Sequence, residues 1–321
     1  MYLDIEHEIQ FSYDDYISES WVELRMEPLT NSHQTVNSYY LAVGPRTKVF
    51  GYLAWAGNAV RHFSIAEFHN KIQVKTRSVV ETQPPKIFAA LVSESISPSA
   101  LLGPYLDYLA FDGPITKSRA LLDFVSGIKL QKKATLGEQV EQIGRFVHDE
   151  IKYVANVTSY DSDIEHALKQ GAGVCQDKAQ IMIGALRLAG IPARYVNGYL
   201  HVANKKSETS ESHAWVEFYS REHGWVGYDP TGGLHPGEHN VVVATGRHYD
   251  EVPPNRGVYR GAAKEKLTAV VKTKEVQAPV QGTFHEEIKD IELPVYSEIP
   301  LRRQIASPDD QMDQTSQQQQ Q

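Results

Sequence analysis

Residues 171–190 read GAGVCQDKAQIMIGALRLAG, a glycine-rich turn followed by an apolar run that ends at another glycine. A glycine just past the last apolar residue is a common helix stop. Within the run, apolar side chains recur three or four positions apart and therefore share one helix face. These side chains are Cys175, Ala179, Met182, Leu186 and Ala189. The pattern predicts a helix that begins near the cysteine and turns the thiol toward the interior.

Cys175 is the only cysteine in the chain, so it forms no intramolecular disulfide and no zinc site with two thiolates. A lone cysteine is usually a small buried hydrophobe. In the first turn of a helix, however, unpaired amides and the helix dipole favour the thiolate. Free cysteine has a pKa of about 8.5, and a helix N-terminus or a cationic neighbour lowers this to roughly 3.5–7.5. The position of Cys175 therefore indicates a catalytic nucleophile.

Two β-prone runs further along the chain carry partners for such a nucleophile: SHAWVEF at 212–218 and GWVGYDP at 224–230. Taken alone, a histidine in a strand is usually structural, and an aspartate before proline is usually a turn residue. In an antiparallel hairpin centred on Arg221, however, His213 would face Asp229 with Cβ atoms about 4.5–5.5 Å apart. The carboxylate would orient the imidazole, and the other ring nitrogen would meet the thiol. The predicted catalytic residues are Cys175, His213 and Asp229.

The composition of the chain is that of an ordinary globular protein, with 41% hydrophobic, 10% aromatic and 22% charged residues. A length of 321 residues predicts two domains with extensions. The net charge of −8 and the lack of a dense Lys/Arg stripe argue against nucleic acid as a partner. No apolar run suggests a membrane span and the N-terminus has no secretory pattern, so we expect a soluble, cytoplasmic protein. The oligomeric state stays open.

The first 95 residues contain short runs in which apolar and polar residues alternate, a pattern typical of half-buried strands. They predict an N-terminal β-sandwich-like domain at 1–95, ended by the linker Gln83-Pro84-Pro85. An α+β catalytic domain is expected at 96–276, including a last sheet-like segment at 265–276. The remainder, 277–321, is a C-terminal extension, and its Gln-rich composition predicts disorder from about residue 307.

Helical periodicity within the catalytic domain predicts helices near Ser99 to Ala110, Ser118 to Gly127 and Leu136 to Ile151. Two capping-box patterns mark helix starts, at 135–138 and 162–165. The second one should precede a short helix that stops at Gly171.

No cofactor or metal site is expected. His235 and His239 are four residues apart, but the proline and glycine between them argue against the helix on which such spacing would form a metal site. The glycine-rich turn before Cys175 lacks the Gly-Lys-Ser/Thr of a phosphate-binding loop. The aromatic residues Trp215, Trp225 and Tyr228 are expected to pack around the triad as core residues.

These motifs resemble the core of the transglutaminase-like superfamily, specifically its bacterial branch with an N-terminal β domain. The resemblance rests on GVCQD at 173–177, GIPARYV at 190–196, SHAWV at 212–216, GWVGYDPT at 224–231 and GRHYDEVPP at 246–254. It implies a papain-like core in which helices pack on an antiparallel sheet, and a triad in which Cys175 attacks a carbonyl, His213 acts as base and acid, and Asp229 orients His213. Asp177 would be structural. Lys178 departs from the branch, which usually carries an apolar residue there.

The expected reaction is attack of the thiolate on an amide, which gives a thioester on Cys175 that water or an amine resolves. Water would make the protein a peptidase or amidase, and an amine would make it a transglutaminase; the resemblance favours hydrolysis of a peptide or protein amide. A non-catalytic binding module with the same fold is the alternative. The amide of Cys175 is expected to donate to the oxyanion, with Tyr153 or Gln176 as a second donor.

Overall fold

A computed structural model of the protein describes residues 1–95, 105–129, 131, 133–155, 157–158, 162–202, 209–210, 212–278 and 291–300. Its helices are α1 (Arg119–Ser126), α2 (Leu136–Glu150), α3 (Ile164–Gln170) and α4 (Cys175–Leu188). Its strands are β1 (Tyr2–Leu24), β2 (Gln34–Gly44), β3 (Phe50–Leu53), β4 (Ala59–Ile65), β5 (His69–Thr82), β6 (Lys152–Tyr153), β7 (Ala172–Gly173), β8 (Ala193–Leu200), β9 (Thr209–Ser210), β10 (Ser212–Ser220), β11 (Gly224–Tyr228), β12 (Asn240–Gly246), β13 (Asn255–Arg260) and β14 (Glu265–Val276). The disorder predicted from about residue 307 lies outside the described residues.

The N-terminal strands form a curled antiparallel sheet in which β1 is shared by two halves. The first half of β1 pairs with β5 and β14, and its second half pairs with β4 and β13. Between the halves the pairing registers shift and Glu19 has a φ of 50°, so the strand bends there. The alternation read from the sequence is present in the first half, where Leu3, Ile5 and Ile9 are buried.

The last strands of the described chain return to this curled sheet. β14 pairs with β1 from Tyr2↔Val276 to Tyr13↔Glu265. Residues 265–276 were expected in the catalytic domain at 96–276, yet as β14 they lie in the same sheet as the N-terminal strands. The physical reason is that β1 would otherwise present a long row of unpaired backbone groups, which a returning strand satisfies.

A second antiparallel sheet, in the order β11-β10-β8-β12, carries the helices. α4 packs against β10 and β8 on one side and against α2 on the other. Every residue of α4 from Asp177 to Arg187 is buried, so this helix is central and not one-sided as its sequence period suggested. Helices packed on an antiparallel sheet confirm the predicted α+β class.

Of the two helix starts predicted from capping-box patterns, the start of α2 is confirmed, and the N-cap of α3 differs by one residue. Thr135 and Glu138 form the predicted reciprocal capping box at α2. At α3 the N-cap is Asp163, whose carboxylate accepts from the amide of His166, and not Ser162. α3 ends at Gly171, which has a φ of 62°, a left-handed conformation that favours glycine. The predicted helix at 99–110 is described only in part, and its described end is a 3₁₀ turn, Leu106–Leu109.

The two sheets meet at a buried apolar contact, here called the junction cluster. Its buried residues are Leu3, Ile5, Val80, Tyr199, Val241, Val243 and Val271. Side-chain amides reinforce the contact, since Asn58 exchanges two hydrogen bonds with the backbone of Thr245, each of 2.8 Å. Among the residues described, no helix is long and apolar enough to cross a membrane.

Candidate active site

Cys175 is the first residue of α4, as the sequence predicted. Val174 before it is extended, with φ −100° and ψ −174°, so the helix begins abruptly at the thiol. The carboxylate of Asp177 accepts from the amide of Val174 at 2.7 Å and from the hydroxyl of Thr158 at 2.7 Å. Asp177 is 2% exposed and holds the turn before Cys175, which is the structural position expected for it.

The turn before the cysteine also depends on Gly173. A β carbon on that residue would lie 2.6 Å from Oδ2 of Asp177. Any larger residue would therefore displace the carboxylate that holds Val174. The glycine allows the backbone and the carboxylate to approach closely enough to fix the start of α4.

His213 lies between the thiol and a carboxylate. Its Nε2 is 2.7 Å from Oδ2 of Asp229, and the thiol of Cys175 lies close enough to the ring to raise its pKa, which leaves Nδ1 as the nitrogen for the sulfur. The side chains of His213 and Asp229 are only 11% and 9% exposed. The structure therefore brings together all three residues that the sequence singled out.

The hairpin register expected for His213 and Asp229 is wrong. Observed pairs run from Ser220↔Gly224 to Val216↔Tyr228, so the turn is centred on Glu222 and not on Arg221. Continuing this register places Asp229 across from Trp215, which makes His213 a diagonal neighbour of Asp229. A diagonal pair on one sheet face is farther apart at Cβ but remains within reach of a long side chain.

Backbone contacts fix the carboxylate of Asp229. Its Oδ1 accepts from the amides of Thr231 at 2.8 Å and Gly232 at 3.4 Å. The backbone of Asp229 exchanges hydrogen bonds with Leu234, 2.8 and 3.1 Å long. The turn after β11 therefore immobilises one oxygen and directs the other, Oδ2, at His213.

The electrostatics of the site favour a charged imidazole. Burial lowers the pKa of His213, but hydrogen bonds to Asp229 and Cys175 and the negative charges of both residues outweigh burial and raise this pKa to about 10. Burial, followed by the negative charge of Cys175, raises the pKa of the Tyr195 phenol far above its usual value. The arrangement therefore favours an imidazolium on His213 and a neutral phenol on Tyr195.

Two residues that support His213 were not identified as such from the sequence. The ring of Trp215, predicted only as a core aromatic, stacks on the imidazole with centroids 6.2 Å apart. Gly198 pairs with His213 across β8 and β10, and a β carbon there would lie 2.4 Å from the Trp215 ring. The signal for Gly198 was present, since a glycine inside a strand often marks a close approach.

The other two aromatic residues expected around the triad, Tyr228 and Trp225, lie at different ends of the hairpin. Tyr228 is buried one residue before Asp229. Trp225 lies near the other end of the hairpin, against the ring of Tyr219 and beneath the guanidinium of Arg194, 4.2 Å from its centroid. The expectation that Trp225 packs around the triad is therefore wrong.

The histidines weighed as a metal motif have separate partners. His235 Nε2 is 2.8 Å from Glu141, and the ring of His239 stacks on that of His201. Within the described ranges no group of three or more His, Cys, Asp or Glu residues could hold a metal ion. The second oxyanion donor, Tyr153 or Gln176, stays a prediction. Tyr153 is exposed on β6 and pairs with Gly173.

Two family models match the chain. Residues 123–230 match the transglutaminase-like superfamily, and residues 3–81 match the bacterial transglutaminase-like N-terminal region. The fold resembles the crystal structure of a candidate cysteine protease from Cytophaga hutchinsonii, with a TM-score of 0.72 and 20% identity, over 87% of this chain and 92% of that one.

Similar sequences occur in several bacteria. An uncharacterized protein of Mycobacterium leprae is 30% identical over 275 residues, which cover 83% of this chain and 96% of that protein. A protein-glutamine gamma-glutamyltransferase of Pseudomonas aeruginosa is 29% identical over 158 residues, 45% of this chain but only 23% of that protein. Both family models and the full-length relative therefore agree with the motifs and the fold. The chain belongs to the transglutaminase-like superfamily, with the N-terminal region of its bacterial members.

Proposed function

We propose that the chain is a thiol enzyme that cleaves an amide through a thioester on Cys175, and most specifically a cysteine peptidase or amidase. One observation carries the proposal: a single buried imidazole, His213, lies 2.7 Å from the carboxylate of Asp229 and close enough to the thiol of Cys175 for that thiol to raise its pKa. Such convergence is what nucleophile activation requires, and it argues against a binding module that merely retains the fold.

In the proposed reaction the sulfur attacks the amide carbonyl, and the C–N bond breaks as His213 donates a proton to the leaving amine. His213 then takes a proton from the incoming water, which forms the carboxylate product and frees the thiol. Asp229 holds Nε2 throughout, so that Nδ1 stays directed at the sulfur and the reacting atoms. The backbone amide of Cys175, at the start of α4, is the proposed donor to the oxyanion.

Transfer to an amine is the second candidate, favoured by the similarity to the Pseudomonas aeruginosa gamma-glutamyltransferase. Both reactions share the thioester and differ only in the molecule that resolves it. The proposed substrate in either case is a peptide or protein amide, and the cytoplasmic location expected from the sequence is part of this proposal.

Activation of the thiol is tested by its rate of alkylation with iodoacetamide between pH 5 and 9, in the wild type and in His213→Ala. The wild type should react rapidly even at pH 6, whereas His213→Ala should react slowly until about pH 8.5, as an unactivated thiol does. Equal slow labelling of both proteins, rising only near pH 8.5, would contradict the proposal.

To identify the molecule that resolves the thioester, water or an amine, the protein is incubated with dimethylated casein and a dansylated alkylamine, with Cys175→Ala as the inactive control. New peptide termini identify a peptidase, and ammonia release without dansyl incorporation identifies an amidase. Dansyl incorporation identifies the transferase. Product formation that persists in Cys175→Ala would exclude the thioester route.

A further inference from the structure

Lys178 is a buried cation on the same helix as the nucleophile. It is 2% exposed, which is rare for lysine because an ammonium group loses its hydration on burial. Its Nζ donates to the carbonyl oxygen of His148 at 3.1 Å. That carbonyl lies in the last turn of α2, where backbone oxygens lack helical partners and the helix dipole is negative.

His148 connects this contact to the turn that carries Asp229. Its Nδ1 lies 3.2 Å from the carbonyl oxygen of Pro230 and 3.0 Å from that of Thr231. Because carbonyl oxygens only accept, Nδ1 carries the hydrogen. The backbone of His148 thus accepts from Lys178, while its ring donates to the two residues that directly follow Asp229.

Burial and neighbouring carboxylates have opposite effects on the pKa of Lys178. Burial lowers the pKa of Lys178, while the carboxylates of Asp229 and then Asp149 raise it. The titratable groups beside Lys178 are therefore Asp149 and His148 on α2, Asp229 after β11, and, through Asp229, His213 on β10.

We propose that Lys178 is a positioning residue for Asp229: its ammonium holds the backbone of His148, whose ring anchors the turn after β11 and so directs the Asp229 carboxylate at His213. This inference rests on the proposed function, since its consequence is the stability of the imidazolium beside Cys175. Lys178 itself touches no reacting atom.

The contact is tested by replacing Lys178 with an uncharged side chain of similar length, Lys178→Met, which cannot donate to His148. The rate of Cys175 alkylation at pH 5 should fall roughly tenfold, and the acid limb of the pH profile should move up by about one unit, because a displaced Asp229 carboxylate stabilises the imidazolium beside the sulfur less well. The Nε2 proton of His213, which resonates far downfield in a short bond to a carboxylate, should broaden or disappear in the NMR spectrum.

Arg187→Met is the matched control. Arg187 is a second buried cation on α4, 4% exposed, that also donates to backbone carbonyls but lies at the other end of the helix. Its acceptors are the carbonyl oxygens of Tyr108, Ala110, Ala193 and Arg247. Removing this cation should lower the melting temperature yet leave the acid limb and the His213 resonance unchanged.

The results separate this inference from the proposed function. If wild type and His213→Ala label alike, the proposed function fails. If they differ but Lys178→Met keeps the wild-type acid limb, or loses rate equally at every pH, only the positioning role fails. Should Lys178→Met not fold, the side-chain ¹⁵N signal of Lys178 in the wild type decides: an ammonium at pH 7 supports the proposal, and a neutral amine overturns it.

Discussion

The proposed chemistry depends on which oxygen of Asp229 meets His213. Oδ1 is occupied by the amides of Thr231 and Gly232, and Oδ2 is left for Nε2. This division fixes both the tautomer and the direction of the imidazole, because a ring that donates through Nε2 presents Nδ1 to the sulfur. The carboxylate therefore acts by orientation as well as by charge.

Asp229→Asn keeps the shape of the side chain but reverses the bond to His213. Oδ1 would still accept from the backbone, so the amide nitrogen would face Nε2 and force the opposite tautomer. Alkylation of Cys175 at pH 6 should fall roughly a hundredfold, toward the rate of an unactivated thiol with a pKa of about 8.5. Mass spectrometry of samples quenched during alkylation measures this rate. An Asp229→Asn variant that reacts as fast as the wild type would contradict the assigned role of Asp229.

The raised pKa of His213 also predicts how stability depends on pH. The folded value is about 10 and the ordinary value is 6.5, so the folded state binds the proton more tightly. The stability that His213 contributes is therefore fully present below about pH 6.5, declines above that pH and is lost as the pH rises through about 10. The melting temperature of the wild type should exceed that of His213→Gln most at pH 6 and least at pH 10. A gap that stays constant between these values would exclude the ion pair.

The position of His213 depends on a close contact between β8 and β10, which is possible because Gly198 has no side chain. Gly198 lies opposite His213, and the ring of Trp215 occupies the space that a β carbon would need. Since His213 stacks on Trp215, the depth of the tryptophan sets the depth of the imidazole. Strand geometry and catalytic geometry are thus coupled at one glycine.

Gly198→Ala should test that coupling. The new β carbon would lie 2.2 Å from the carbonyl oxygen of Val241, so backbone as well as side chain must shift. We expect a loss of about 1–3 kcal/mol in the free energy of unfolding, together with slower alkylation of Cys175. Gly237→Ala is the control, because nothing lies within 4 Å of its new β carbon. Urea unfolding of both variants measures the difference, and equal stabilities would contradict the close approach.

In the molecule as a whole, the two sheets are interdependent. β14 returns from the region after the second sheet to pair with β1, and the junction cluster buries side chains of both sheets. Tyr199 of the junction cluster is in β8, the strand that also pairs with His213. The curled sheet therefore supports the strand behind the candidate active site.

Removing the N-terminal strands of the curled sheet should destabilise the second sheet. A shortened chain of residues 84–321 lacks β1 to β5 and leaves Tyr199, Val241 and Val243 uncovered. We expect it to bind the dye ANS, to associate in gel filtration and to unfold at a lower temperature than the full chain, because a large exposed apolar patch is unfavourable. A monomer with the full-length melting temperature would show that the second sheet is independent.

Features that depend on neighbouring residues were predictable from the sequence. The start of α4 at Cys175, the stop of α3 at Gly171 and the capping box at Thr135 are set by residues a few positions apart. The choice of Cys175, His213 and Asp229 rested on residue types in such local contexts and on the family resemblance, and the structure places these three together.

Only the tertiary structure determined the contacts made across long separations. The hairpin turn moved by one residue, so His213 meets Asp229 diagonally, because pairing with β8 and packing on α4 fix the register together with the turn. The return of β14 to β1 and the path from Lys178 through His148 to Asp229 join segments that no local pattern relates. Residue type and spacing determined which groups this protein can use, whereas burial and strand pairing determined which of them touch, since those energies depend on the folded chain as a whole.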